Sequence, residues 1–249
     1  MDSRVVAWVS AGAASAIAAK LALKKYGDRV TLAYCETGSE HEDNERFLGD
    51  LVRWYGRPIE RLKSAKYADT WDVWEKRKYL AGIDGAPCTL ELKLIPRLAF
   101  QRLDDIHVFG YTNDKLDIAR AVNFRKNFPE LKVETPLIDG GLDKRACLAM
   151  LMSANILAPI LYALGFPNNN CIPCVKATSP DYWALVRMHF PVVFFRMATL
   201  ARSLDVRLAR IKDERVFIDE IPDDWPVLNP IVPACDFLCH LAELELADG

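Results

Sequence analysis

The sequence predicts an open, doubly wound parallel α/β sheet followed by a mostly helical C-terminal extension. Three observations predict it. Short apolar runs alternate with amphipathic helical stretches through the first half of the chain, the first run ends in the small-residue loop Ser10-Ala11-Gly12 and leads straight into an Ala-rich helix, and helical periodicity dominates after residue 136. The chain has 249 residues, 51% hydrophobic and 27% charged, with mean hydropathy +0.00. Such a composition excludes a disordered, collagen-like or fibrous chain, and the length suits one main core, since single cores stop growing near ~250–300 residues.

In chain order, residues 4–9 form a Val- and Trp-rich strand, 13–23 a helix and 30–35 a second strand. Within 39–55, Phe47, Leu48, Leu51, Val52 and Tyr55 recur at helical spacing among charges. Strand 59–62, helices 70–80 and 90–103, strand 106–109 stopped by Gly110, helix 114–128 ended by Pro129, and strand 132–134 continue the alternation. The open sheet therefore extends to about residue 136. Beyond it, 143–164 reads as helices broken at Pro159, 165–173 as a loop dense in Asn and Pro, 181–204 as helical with Pro191 opening its second half, and 206–211 with 216–218 as a small hairpin. The tail is Pro-rich from Ile221 until a helical stretch at 236–246.

With 32 Lys+Arg against 34 Asp+Glu, the net charge of -2 neither drives the protein onto nucleic acid nor keeps it off. Residues 187–215 hold seven basic side chains (Arg187, Arg196, Arg202, Arg207, Arg210, Lys212, Arg215) against three acidic ones, either a local patch or a solvated helix face and strand edge. The apolar stretch 146–166 is interrupted by Ser153, Asn155, Pro159 and Gly165, so it reads as two packed helices rather than a span of ~20 apolar residues. The first residues lead into a strand instead of a signal-peptide core, which predicts a cytoplasmic protein with no membrane partner. Seven cysteines in such a chain suggest reduced thiols, metal ligation or sulfur chemistry rather than a disulfide framework.

Four groups of residues carry chemistry. The loop Ser10-Ala11-Gly12-Ala13-Ala14-Ser15 lets backbone N–H groups and a helix start face an anion, although an Ala-rich helix start is also simply a helix. It lacks the Lys of a Walker loop and the G-x-G-x-x-G dinucleotide fingerprint. Cys171-Ile172-Pro173-Cys174 follows three asparagines and holds two thiols close enough for a metal, a cluster or a redox couple. Cys88, Cys147, Cys235 and Cys239 are candidate partners, and Cys235 and Cys239, four apart in a predicted helix, share a face unless they are ordinary buried residues. Pro87-Cys88-Thr89 precedes Lys93, with Thr89 as the expected helix cap and Lys93 near the anion-attracting end, where a surface lysine is the competing reading. Finally, Gly110-Tyr111-Thr112 ends a strand ahead of Asp117 and Arg120, which form either a substrate site or a structural ion pair.

Together, Ser10 to Ser15, Cys88-Thr89 with Lys93, Gly110 with Asp117 and Arg120, and Cys171-x-x-Cys174 resemble the phosphoadenosine phosphosulfate (PAPS) reductase-like branch of the PP-loop ATP pyrophosphatase superfamily, over residues 4–205. The resemblance implies a Rossmann-like, HUP-type fold, with a nucleotide-binding core at 1–136 and a helical region at 137–249 that carries the Cys-x-x-Cys loop and hairpin. It further implies an ATP (or PAPS) site: phosphates on Ser10, Ala11, Gly12, Ala13, Ala14 and Ser15, adenine near Cys35, Glu36 and Thr37, Gly110 and Tyr111 on the same edge, and Lys93 and Arg120 neutralising phosphate or sulfate. The family's S-G-G-x-D-S loop places Ala14 where an aspartate serves Mg²⁺-ATP.

Relatives that thiolate tRNA or incorporate sulfur in DNA phosphorothioation adenylate an oxygen and often hold an iron-sulfur cluster. The leading expectation is therefore an ATP pyrophosphatase that adenylates an acceptor, a nucleic acid as in DNA phosphorothioation, for sulfur transfer. In that reading Cys88, Cys171, Cys174, Cys235 and Cys239 are candidates for a [4Fe-4S] cluster, Cys174 is a candidate sulfur relay, the donor partner is a cysteine desulfurase, and the chain forms a homodimer. The alternatives are PAPS or adenylyl sulfate reduction to sulfite, with Cys239 as nucleophile and a thioredoxin-like reductant, and a non-catalytic nucleotide-binding module. True reductases carry Glu-Cys-Gly-x-His, whereas this tail has Phe237-Leu238-Cys239-His240.

Overall fold

Strand β1 (Val5–Val9) is a continuous apolar run because helices cover both faces of an interior parallel strand, and Val5, Val6 and Ala7 are buried. The structure, a computed structural model, describes residues 3–82 and 85–227. Helix α1 (Ala13–Tyr26) buries Ala13, Ala16, Ala18, Ala19 and Ala22 beside Ile17, and these short side chains let the helix lie close against the sheet. Strand β2 (Val30–Cys35), helix α2 (Asp43–Tyr55) and strand β3 (Ile59–Leu62) follow. Phe47, Leu48, Leu51 and Tyr55 form the buried stripe of α2, while Val52 stands at its edge, 37% exposed.

Helix α3 (Thr70–Arg77) starts where Asp69 accepts the Asp72 N–H at 2.7 Å and stops short of residue 80 because Lys78 turns to φ +52°. Helix α4 (Pro87–Thr89), a π-helical turn (Leu90–Leu94) and helix α5 (Ile95–Phe100) make one continuous segment with right-handed torsions at each junction. Thr89 therefore does not cap this helix as expected. Ala86 is the N-cap and Pro87 occupies the first helical position, where a missing N–H costs nothing. Strand β4 (Ile106–Val108), helix α6 (Lys115–Asn127) and strand β5 (Lys132–Glu134) complete a five-stranded, all-parallel sheet of order β3-β2-β1-β4-β5. The chain builds outward from β1 on one side, then crosses over and builds on the other, so the winding reverses between β1 and β4.

After the sheet come α7 (Pro136–Asp139), α8 (Lys144–Ser153), α9 (Ile160–Ala163), α10 (Pro180–His189) and α11 (Pro191–Ser203). The apolar stretch 146–166 divides between α8 and α9, and among the described residues no helix is long and apolar enough to cross a membrane. In the antiparallel hairpin of β6 (Ala209–Ile211) and β7 (Glu214–Val216) the first strand starts three residues later than expected and the second lies two residues earlier, because Ile218 already opens a 3-10 turn. The helix expected at 236–246 lies outside the described residues.

Among the described residues two large apolar cores result, beside a small cluster of Tyr67, Val73 and Leu92. One lies between the sheet and α1, α2 and α8, and ends at Tyr162. The other gathers Trp71 and Trp74 of α3, Phe166, Trp183, Phe194 and Met197 with the hairpin's Ala209. Residues on both sides of position 136 enter each large core, so the Cys-x-x-Cys loop is pressed against the sheet's carboxyl edge.

Candidate functional site

In open α/β sheets ligands sit beyond the strand carboxyl ends where the winding reverses. A cleft of about 470 Å³ opens there, with Val9 and Ser10 beyond β1, Tyr34 and Cys35 at the end of β2, and Phe109 and Gly110 beyond β4. Pockets of ~300–1,000 Å³ hold small-molecule ligands.

One wall is the β1–α1 loop. The Ser10 N–H donates to Ser15 Oγ at 2.9 Å, the two hydroxyls are 3.1 Å apart, and Ser15 Oγ donates to the Gly12 carbonyl at 2.9 Å. Ala11 adopts φ +55°, a left-handed conformation that costs an alanine ~1–2 kcal/mol, and the buried Asn169 amide holds it there by donating to the Ala11 carbonyl. The same amide donates to Asn44 Oδ1 at 2.8 Å, while Tyr162 OH accepts the Ala13 N–H at 3.3 Å. A Cβ at Gly110 would lie 2.6 Å from the N and Cα atoms of Ser15, so only glycine lets the end of β4 approach the start of α1 this closely.

The facing wall is cationic and aromatic. Lys93 sits in the π-helical turn, open to the cleft, and its carbonyl accepts from Cys35 Sγ at 3.6 Å. Burial works to lower the pKa of Lys93, but its acidic surroundings, with the Cys171 thiol and the Glu40 carboxyl foremost, outweigh burial and the net direction is upward, so Lys93 stays a cation. One turn on, Arg97 is 9% exposed and lays its guanidinium over the rings of Phe124 at 5.2 Å and Phe128 at 4.8 Å. Trp8 lines the same cleft, and its indole N–H donates to His107 Nδ1 at 3.1 Å. Burial pushes the wholly enclosed His107 down, toward the neutral form that this acceptor role needs.

The Asn-rich loop closes the cleft, and it parts the two cysteines. Cys171 lines the cleft, with its sulfur 2.8 Å from Thr37 Oγ1, and Glu40 accepts from the Thr37 and Ser39 N–H groups at 3.1 and 3.2 Å. Burial pushes the Cys171 thiol up to about 11, against the opposing pull of Lys93. Cys174 and Cys88 instead pack against the second core. Among the described residues no three His, Cys, Asp or Glu side chains gather as a metal site. Cys235 and Cys239 lie outside the described residues.

Of the residues singled out in the sequence, Ser10, Ser15, Cys35, Lys93, Gly110, Tyr111 and Cys171 line the cleft. Ala11 and Gly12 form the turn, and Ala13 and Ala14 the first helical positions, behind Ser10 and Ser15, and Thr37 stands behind Cys171. Glu36 turns to the β3 edge, 2.9 Å from Lys63 Nζ. Arg120 is not brought to the cleft: its exposed side chain pairs with Asp117 at 2.9 Å, and Asp117 in turn accepts from Thr112. Cys147 is a core residue of α8. Within the basic run, Arg187, Arg196, Arg202 and Arg207 each hold an acidic partner, which cancels most of its field. Sequence reasoning missed Trp8, Glu40, Arg97, Phe109, Phe124, Phe128 and Asn169; the available signal for Arg97 was a second cation four residues after Lys93. No protein-family model matches the chain, and no curated protein is similar to it in sequence.

Proposed function

We propose that the protein is an adenine-nucleotide-dependent sulfur-transfer enzyme of the PP-loop ATP pyrophosphatase type. One observation carries this reading: a small-residue loop at a helix start, the cation Lys93 and the thiol of Cys171 line a single cleft at the reversal point of the sheet. The loop offers backbone donors and Ser10 to phosphate oxygens, and Lys93 offsets the charge that grows as the α-phosphate is attacked. An acceptor oxygen takes the adenylyl group, pyrophosphate leaves, and sulfur supplied by a donor protein then displaces AMP from the acceptor. Cys171, rather than Cys174, is the thiol at the reacting centre. With Ala14 in place of an acid, Lys93 takes over part of the charge neutralisation that a loop-held Mg²⁺ would give. The acceptor class favoured by the sequence resemblance is nucleic acid, as in DNA phosphorothioation.

Anaerobically purified protein is expected to release pyrophosphate from ATP in the presence of acceptor, and Cys171→Ser is expected to leave ATP binding intact while abolishing sulfur transfer. Sulfite formation from PAPS without ATP turnover would overturn this assignment in favour of a reductase, and ATP binding with no turnover of either nucleotide would leave a binding module.

A further inference from the structure

Arg97 is nine-tenths buried, yet its Nε and Nη2 atoms have no hydrogen-bond partner among the described residues. Its guanidinium carbon lies 5.2 Å from the ring centre of Phe124 and 4.8 Å from that of Phe128, both of which line the cleft, so the charge is flanked by aromatic carbon that offers its N–H groups no lone-pair acceptor. Nε and Nη2 are the adjacent, parallel donors that an arginine presents to two oxygens at once. A buried guanidinium is costly when, as here among the described residues, no carboxylate pairs with it at ion-pair distance and Glu130 acts on it only from farther off, so the charge selects an anion over a neutral acceptor pair. Lys93 lines the same wall, and Glu40, the acidic side chain of the cleft lining, is already engaged by Thr37 and Ser39.

We propose that Arg97 is an oxyanion receptor, gripping a phosphate-, sulfate- or carboxylate-type group of the bound ligand through Nε and Nη2, with Lys93 beside it, as a second anchoring point separate from the β1–α1 loop. This deepens the nucleotide reading but does not depend on it. The oxyanion comes either from the nucleotide's own phosphates or from the second substrate.

The experiment uses the full chain as wild type, Arg97→Met and Arg97→Lys, titrated calorimetrically with sodium sulfate, inorganic phosphate, adenosine and ATP, together with thermal unfolding with and without phosphate. Arg97→Met is expected to weaken anion binding ~10- to 100-fold, with Arg97→Lys intermediate because it lacks the fork. Without ligand, Arg97→Met is expected to unfold at a higher temperature than wild type, because it relieves an unpaired buried charge, and phosphate is expected to stabilise wild type most, Arg97→Lys less and Arg97→Met least. Weaker ATP binding in Arg97→Met with unchanged adenosine binding assigns the oxyanion to the nucleotide; unchanged ATP binding with phosphate bound alongside ATP assigns it to the second substrate. If phosphate binds through Arg97 but neither adenosine nor ATP binds, the receptor stands and the nucleotide assignment falls. Anion affinity equal in all three proteins, or a lower unfolding temperature for ligand-free Arg97→Met, overturns the proposal and leaves Arg97 as a packing residue on two rings.

Discussion

The β1–α1 loop and the Lys93–Arg97 segment face each other across one cleft, but their polar groups are finished differently. In the loop, Ser10, Ser15, Gly12, Ala11 and Ala13 are all joined to partners within the protein, the last two through Asn169 and Tyr162 from beyond the sheet. On the opposite wall, Arg97 keeps two buried donors unmatched among the described residues and Lys93 faces open space. A wall tied together at these points holds its shape before anything binds. A wall that is incomplete holds energy that a ligand recovers, at a standing cost to the free protein. The cleft therefore combines a rigid cradle with a charged grip.

The contrast breaks most severely at Gly110. Gly110→Ala forces a methyl against the backbone of Ser15 and is expected to cost ~3 kcal/mol in urea unfolding and to lower nucleotide affinity with it, since β4 and α1 must part. On the other wall, Lys93→Ala is expected to slow pyrophosphate release ~100-fold with an unfolding midpoint near that of wild type. A destabilised Lys93→Ala protein would assign Lys93 to the scaffold instead. Asn169→Ala strips partners from the Ala11 carbonyl and from Asn44, and is expected to lower stability by ~1–2 kcal/mol in the same unfolding assay.

A titration sharpens the comparison from the aromatic side. His107 accepts from Trp8, and burial holds its folded pKa below the unfolded value of ~6.5, so the unfolded chain binds the extra proton. Its contribution is complete above pH ~6.5 and is lost as the pH falls below it, by up to ~1.4 kcal/mol per unit. His107→Asn is expected to flatten denaturation midpoints between pH 6.5 and 5, a window above the range of carboxyls such as Asp43, which hydrogen bonds from Arg46 hold below the ordinary ~3.9. The smallest effect is expected at the loop: Ala11→Gly relieves the positive φ and gains ~0.5 kcal/mol after the added chain entropy.

The alternation of apolar runs and helices was legible because each strand and helix satisfies its own period, and Ser10 to Ser15 and Gly110 were legible because a loop at a strand end must come to the sheet's carboxyl edge, whereas Lys93 and Cys171 stood out by residue type alone. Arg97 was not, since its meaning depends on Phe124 and Phe128 arriving from α6 and its C-terminal end. Nor was the fate of Arg196, whose partner Glu75 belongs to α3. The Cys-x-x-Cys spacing showed two thiols close in sequence but not that one turns to the cleft and the other to the second core. Thr89 looked like a cap because its residue type suits one; Pro87, two positions earlier, had already started the helix.

The Asn-rich loop places Asn169 on the carbonyl of Ala11 and Cys171 in the cleft, with one residue between them. That short tether couples the β1–α1 loop to the thiol: a ligand that fills the loop is expected to change the setting of the sulfur two residues from Asn169. The rate at which an alkylating reagent consumes Cys171 is then a gauge of cradle occupancy, readable without any turnover at all.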